Sequence, residues 1–396
     1  MYGLDSQSLF PHFHLRRACK ASTGKTSNSH GRDQKLVLPI LMAGIRSEPD
    51  WSGLAPELLQ TIARKLPDIS DFVKFRAVCA TWRSSAPVSD PPPQLPWFLQ
   101  QRFEDESDDH LRFYSLFSGK VHTISSPNSS GNELIGPAQD YIVLYDWASH
   151  QISLLNPLTD RKVVLPFLDI APPRLLLQVG PDPIHRGECV ALTDNLSILA
   201  LFKPVQNEWV VIKEPSFLGR NAYYNGMYFI HDHFGVTKVV DTVTRKVLHV
   251  IPPSPESWIK EVYNSAWGEK YLVQSAGDIL QVCLHDFELH PVTDCQFHIC
   301  KLEGLSSENG GKPHWVKVSS IGDQILFLDD NNGFSLSCRG FSGFRGNSIY
   351  FIKWQANHVY DQPRSVLCRY DIEQARAEPL TCPLTKGGTW IVPSLR

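Results

Sequence analysis

Residues 141–166, "YIVLYDWASHQISLLNPLTDRKVVLP", are strand, turn, strand, turn, strand when taken by pattern alone. Short apolar runs at 141–145, 152–155 and 163–165 are too brief for helices, and turn residues punctuate them. The turn Asn156-Pro157-Leu158-Thr159-Asp160 combines an Asx-type hydrogen-bonding residue with a fixed proline φ. A similar unit recurs at 226–252, "GMYFIHDHFGVTKVVDTVTRKVLHVIP", and another at 270–286, "KYLVQSAGDILQVCLHD". Later copies are "GDQILFLDDNNGFSLS" (322–337), "NSIYFIKW" (347–354) and "SVLCRYDIEQARAEPL" (365–380). Tyr228 and Tyr271 are 43 positions apart and Tyr141 and Tyr228 are 87, about twice that. Four strands in roughly 40–50 residues is the period of a propeller blade. The spacing predicts an all-β propeller over residues 111–396, with room for about six or seven blades, and a pair of β-sandwiches is the alternative. Each blade buries a face on the next, so such repeats form one cooperative unit.

The whole chain has 396 residues, which favours more than one domain. Its 42% hydrophobic and 20% charged residues suit a globular protein. A net charge of −3 gives no bulk attraction to nucleic acid or an anionic membrane, and neither is expected as a partner. No apolar run approaches the ~20 residues that span a bilayer. Nine cysteines, an odd number without a pairing pattern, point to reduced thiols and a cytoplasmic or nuclear location.

Residues 1–46 carry Arg16, Arg17, Lys20, Lys25 and Arg32 against only Asp5 and Asp33, and are expected to be a disordered leader. A transit peptide would share that composition. Gly24-Lys25-Thr26 lacks the earlier glycine and preceding strand of a phosphate loop.

From Trp51 the pattern becomes helical. "WSGLAPELLQTIARKL" (51–66) sets Leu54, Leu58, Leu59, Ile62 and Leu66 on one stripe. Pro56 fits the first helical position and Pro67 ends the helix. A second helix is expected from Ser70 as N-cap, with Phe72, Val73 and Phe75. A third is expected over 78–85, "VCATWRSS", stopped by Pro87 and Pro91-Pro92-Pro93. About 40 residues are too few to close a core alone, so the stripe needs either a partner or the following domain to lie on.

The stretch 51–86, above all Val78, Cys79, Trp82 and Arg83 at its end, resembles the F-box. That family docks substrate receptors on a Skp-type adaptor in cullin-based (SCF) ubiquitin ligases. The resemblance implies an F-box over 47–88 whose adaptor contacts come from Leu54, Pro56, Leu58, Leu59, Ile62, Leu66, Val78 and Trp82, shared between internal packing and the adaptor. A Pro-rich and acidic linker, 89–110, follows. "NPLT" (156–159), "IGDQILFL" (321–328), "GNSIYF" (346–351) and "TWIVPSL" (389–395) are similar to the kelch-like propeller domain that follows the F-box in many plant proteins. That likeness implies a recognition platform for a target protein.

Catalytic motifs of the Gly-x-Ser-x-Gly, His-Glu-x-x-His and dinucleotide types do not occur. Cys283, His285, His290, Cys295, His298 and Cys300 have the right chemistry for zinc but not a zinc-module spacing, and no metal or cofactor is expected. Trp147, Trp209, Trp267, Trp315 and Trp354 are expected to pack blades. Arg339, Phe341, Phe344 and Arg345, in a Gly-punctuated loop, are the candidate target-binding patch. The expected fold class is therefore a small all-α F-box module followed by an all-β propeller. The expected function is the non-catalytic substrate receptor of an SCF-type ligase, partnered by a Skp-type adaptor, through it a cullin, and a target. The alternatives are an F-box scaffold outside a ligase and a propeller that binds sugars or small molecules.

Overall fold

In the computed structural model the described residues are 51–66, 68–100, 109–138, 140–168, 176–179, 190–194, 198–203, 207–213, 218–232, 235–254, 268–285, 291–305, 312–329, 333–355, 364–383 and 387–395. The strands fall into six sheets. The first joins both ends of the chain, in the order Gly388–Ile391, Trp97–Gln100, His110–Ser115, Val121–Ser125. The second holds Glu133–Ala138, Tyr141–Asp146, Gln151–Asn156 and Arg161–Val164, and the third Leu176–Val179, Val190–Asp194, Ile198–Lys203 and Glu208–Lys213. The fourth holds Leu218–Tyr224, Met227–His231, Thr237–Asp241 and Val247–Ile251. The fifth holds Gly268–Ser275, Asp278–His285, Gln296–Glu303 and His314–Val318. All five are antiparallel: in the second to fifth each strand pairs with the next, and in the first Gly388–Ile391 is added beside Trp97–Gln100.

The sixth sheet breaks the pattern. It has five strands in the order Gly333–Ser337, Gln324–Leu328, Ser348–Gln355, Arg364–Asp371, Arg376–Pro379, and Gln324–Leu328 runs parallel to Ser348–Gln355. A parallel neighbour needs a crossover, and residues 338–347 supply it. Asn347 pins that loop: its side-chain oxygen accepts from Ile321 N at 2.9 Å, and its own N–H donates to Gln324 O. Asn347 holds φ 58°, which asparagine tolerates. At Gly346 an added Cβ would overlap the Gly322 carbonyl oxygen, so only glycine fits.

The innermost strands of successive sheets touch in turn from the first sheet round to the sixth. The ring closes between the sixth and the first. Trp97–Gln100 pairs with Gly388–Ile391 in register Phe98↔Trp390, and a side chain at Gly388 would overlap the Leu99 carbonyl. Trp390 is fully buried, 5.2 Å from the Phe98 ring and 5.3 Å from the Phe327 ring. Its indole N–H donates to Leu328 O at 3.1 Å. Buried Asp329 accepts from Thr389 Oγ1 at 2.7 Å and from Trp390 N at 2.8 Å.

Three short helices precede the sheets: α1 (Pro56–Ala63), α2 (Ile69–Ala77) and α3 (Ala80–Ser85). Pro56 opens α1 as expected, but α1 ends at Ala63, short of Leu66. The N-cap of α2 is Asp68 and not Ser70, because Asp68 sits in extended backbone and its carboxylate takes the Ser70 N–H at 2.8 Å. The third helix starts at Ala80 rather than Val78, with Cys79 extended as its N-cap. Arg76 ties α2 to α3: its guanidinium donates to Arg83 O at 3.2 Å and to Ala86 O, and Arg83 Nε returns a bond to Arg76 O. A cation at the last carbonyls of α3 is also well placed against the helix dipole.

These helices do not stand apart. Leu59, Ala63, Ile69, Phe72 and Phe75 share one core with Trp97, Leu99, Leu111, Phe113 and Ile391 of the first sheet and Ile142, Leu144 and Leu155 of the second. Asp68 also accepts from Ser115 Oγ at 3.2 Å and faces His122 Nε2 at 3.9 Å, while His122 stacks on Trp97 at 4.7 Å. The expected fold class is thereby corrected twice. In place of the expected six or seven blades there are five regular four-stranded blades and one five-stranded sheet with a parallel pair. In place of an all-α module followed by a propeller, three short helices are packed into the propeller's own core, because their stripe is otherwise too apolar for water. The leader expected over 1–46 lies outside the described residues, as does most of the acidic run 102–110.

Two outcomes follow from these contacts. Asp329→Ala should lower unfolding free energy by about 2–3 kcal/mol, because it leaves a buried Trp390 N–H unpaired, and urea denaturation would show it. Burial holds the His122 imidazole below its ordinary 6.5, outweighing the opposing pull of Asp68. A depressed folded value means the unfolded chain binds more protons, so this contribution is full above 6.5 and is lost as pH falls toward the folded value. The urea midpoint should therefore drop between about pH 7.5 and pH 5.5 more steeply in the native protein than in His122→Gln.

Candidate functional site

The helices bury one face and leave another bare. Leu59 is enclosed in the shared core, whereas its neighbours Leu58 and Ile62 are 55% and 43% exposed and Val78 is 58% exposed. Pro56 and Trp51 are exposed beside them. Leu54, Leu66 and Trp82 are half-buried against the core. Trp82 lies 4.4 Å from the Phe75 ring and donates its indole N–H to Trp51 O at 3.1 Å, so it braces α3 on α2. Of the eight residues expected at the adaptor, Pro56, Leu58, Ile62 and Val78 face solvent; Leu59 is a packing residue. Trp51 and Val88 are further exposed apolar residues of this segment that the helical pattern did not single out. The signal that would have found Trp51 is its position before the proline-led first helix. Exposed apolar side chains grouped in this way suit contact with another apolar surface.

The loop patch divides differently. Phe341 is buried and Phe344 half-buried, both in the core under the sixth sheet with Phe327, Tyr350 and Trp390. Arg339 and Arg345 are exposed. Arg339 Nε sits 2.6 Å from Asp323, whose carboxylate also accepts from Gln324 Nε2 and Ser337 Oγ. Those hydrogen bonds, with Arg339 adding less, hold the Asp323 carboxyl below the usual range. The two phenylalanines are thus anchors of the crossover loop.

The cysteine and histidine cluster is dispersed along one blade. Cys283, Cys295 and Cys300 are buried, and His290 lies outside the described residues. Burial pushes the Cys283 thiol up to about 12, which leaves it a neutral packing group. Trp315 is buried and Trp209 half-buried, as blade packing requires, whereas Trp147 is exposed and donates its indole N–H to Glu133. Trp267 and the Trp354 side chain lie outside the described residues.

Comparison with known proteins places this geometry. The family model described as KIB1-4 beta-propeller matches residues 113–371, more than half of the chain. The chain belongs to the KIB1-4 β-propeller family. Among its curated relatives, "F-box protein SKIP23" of Arabidopsis thaliana is 25% identical, covering 76% of this chain and 85% of the relative. "F-box/kelch-repeat protein At2g24250", from the same plant, is 26% identical over 79% and 85% of the two chains. A looser likeness joins the KIB1-4 propeller to solved TolB of Acinetobacter baumannii, with TM-score 0.43 and 11% identity over 74% and 66% of the chains. The plant F-box and kelch-type resemblance noted in the sequence therefore holds for most of the chain.

The KIB1-4 propeller's motifs turn out to be contacts with one another. Asn156 of "NPLT" accepts from Leu158 N and Thr159 N, closing the turn, and donates Nδ2–H to Ser394 O of "TWIVPSL" at 3.1 Å. "IGDQILFL" and "GNSIYF" meet through Asn347 and the parallel pair Ile325↔Ser348. Phe341→Ala should cost about 3 kcal/mol of stability by leaving a cavity, while Arg339→Ala should change stability by about 0.5 kcal/mol or less. Thermal unfolding of both variants checks this split.

Proposed function

We propose that this chain is the substrate-recognition subunit of an SCF-type ubiquitin ligase. The carrying observation is the division of one short helical segment into two faces. Leu59, Ala63, Phe72 and Phe75 are used up on the propeller, and Leu58, Ile62 and Val78 are left for a second protein. A Skp-type adaptor is the partner for that face, and through it a cullin. The propeller holds the target, and tethering target and ubiquitin-charged enzyme in one complex raises their effective concentration. The receptor itself is non-catalytic, working in the cytoplasm or nucleus. Naming of relatives as F-box proteins supports this reading at the level of the family.

Ile62→Asp and Val78→Asp place a charge where the partner's apolar groove would have to desolvate it. Each should weaken binding of purified Skp-type adaptor by about 2 kcal/mol or more while leaving the melting temperature unchanged. Leu59→Ala should behave oppositely, costing about 2–5 kcal/mol of stability. Full adaptor affinity in both aspartate variants would refute the proposal. Adaptor recovered without any cullin would reassign the chain as a scaffold outside a ligase.

A further inference from the structure

The helix α3 is six residues long, and none of its residues is buried. A helix that short does not persist alone in water, so its position is set by what its neighbours hold. It touches both α1 and α2. Its apolar attachment to α2 is Trp82, whose ring lies 4.4 Å from that of Phe75.

Its polar attachment is an exchange between two arginines. Arg76, in the last turn of α2, donates from Nη1 to Arg83 O at 3.2 Å and to Ala86 O. Arg83, in the last turn of α3, donates from Nε to Arg76 O at 3.2 Å. The final carbonyls of a helix have no donor within it, so each arginine serves the end of the other's helix. Ala86 is buried in the core shared with the first sheet, so the bond to its carbonyl fixes α3 where the chain enters that core. The Arg76 guanidinium also lies over the Phe72 ring, 5.8 Å from its centre. Burial, and after it the Arg83 charge, lower the Arg76 pKa, so the exchange is kept against some repulsion.

Only Val78 and Cys79 separate the two helices. Val78 continues the helical backbone and donates its N–H to Phe75 O, whereas Cys79 is fully extended at φ −161° and ψ 176°. The chain bends there, and Val78 stands at the corner, 58% exposed. Where that side chain points depends on the angle between α2 and α3. The arginine exchange joins the chain just before the corner to the chain just after it.

We propose that Arg76 is a positioning residue for the adaptor: by clamping α3 on α2 it presents Val78 to the partner. The partner's identity rests on the receptor reading above; the clamp and the corner it holds do not.

The test is Arg76→Gln in the full chain. Hydrogen–deuterium exchange over residues 80–86 should quicken by about tenfold, with exchange in α1 and the main thermal transition unchanged. Binding of purified Skp-type adaptor, by calorimetry, should weaken by about tenfold. Introduced into Val78→Ala, the same change should cost about twofold or less, because the side chain it positions is gone. A merely structural role would cost as much in either background. Unchanged exchange over 80–86 would overturn the proposal, as would unaltered adaptor affinity in Arg76→Gln or a loss of the same size in Val78→Ala. If the native chain binds no adaptor, the receptor reading falls, and exchange alone decides whether the clamp holds the corner.

Discussion

The molecule depends on one closure, made where the chain's last strand enters the sheet that its first strand began. Strands in a ring stabilise each other only if the ring is shut, since an open propeller exposes two apolar blade faces. Here a single strand, Gly388–Ile391, does the shutting. Trp390 fills the gap between the first and sixth sheets, and Asp329 holds the strand's backbone and Thr389 hydroxyl in place. The same first sheet receives the helices: Ile391 of the closing strand lies in one core with Leu59 and Phe72. Closure and helix docking are therefore a single packing event. A break at residues 388–391 would loosen the helical segment as well as the propeller.

That coupling explains what the short motifs are for. Asn156 reaches Ser394, Asn347 reaches Ile321, and Trp390 reaches Leu328, so "NPLT", "IGDQILFL", "GNSIYF" and "TWIVPSL" are the parts of the latch. The chemistry is specific at each point. Asn156 turns the chain with its own side chain, Gly346 and Gly388 admit a carbonyl that a methyl group would displace, and Asn347 occupies the left-handed region. None of these positions is at an exposed apolar edge. Motif residues mark where the fold is fastened, and the exposed apolar side chains of the helices lie elsewhere.

How much could be read beforehand differs by kind of signal. The strands at 141–166 were legible because their alternation and the Asn-Pro turn are local, and the observed strands Tyr141–Asp146, Gln151–Asn156 and Arg161–Val164 differ by a residue or two at the ends. The α1 start was legible from Pro56. The α2 cap was misplaced because Ser70 and Asp68 are both cap formers, and the choice was made by Ser115, a residue 47 positions away that also bonds Asp68. The sixth sheet could not be foreseen, since its parallel pair depends on a crossover pinned by Asn347. On the helical stripe, periodicity listed the right apolar residues but not their sides. Leu58 and Leu59 are adjacent in sequence and opposite in fate, one exposed and one in the core, and only the position of the first sheet distinguishes them.

Contacts between inner strands run from first sheet to second, third, fourth, fifth and sixth, and Asp329 and Trp390 link sixth back to first. The helices share one core with the first and second sheets, through Leu99, Phe113, Ile142 and Leu144. A rigid closed ring then holds the exposed side of the helices in one place relative to the other blades, which a flexible linker of the same length would not. Outer strands are guarded in different ways: four carry formal charge, Ile124 of Val121–Ser125 lies in the helical core, and Val247–Ile251 is broken by a register shift. The docked helices follow another rule, because the same short segment that is fastened to the ring by Leu59 and Phe72 keeps Leu58, Ile62 and Val78 exposed.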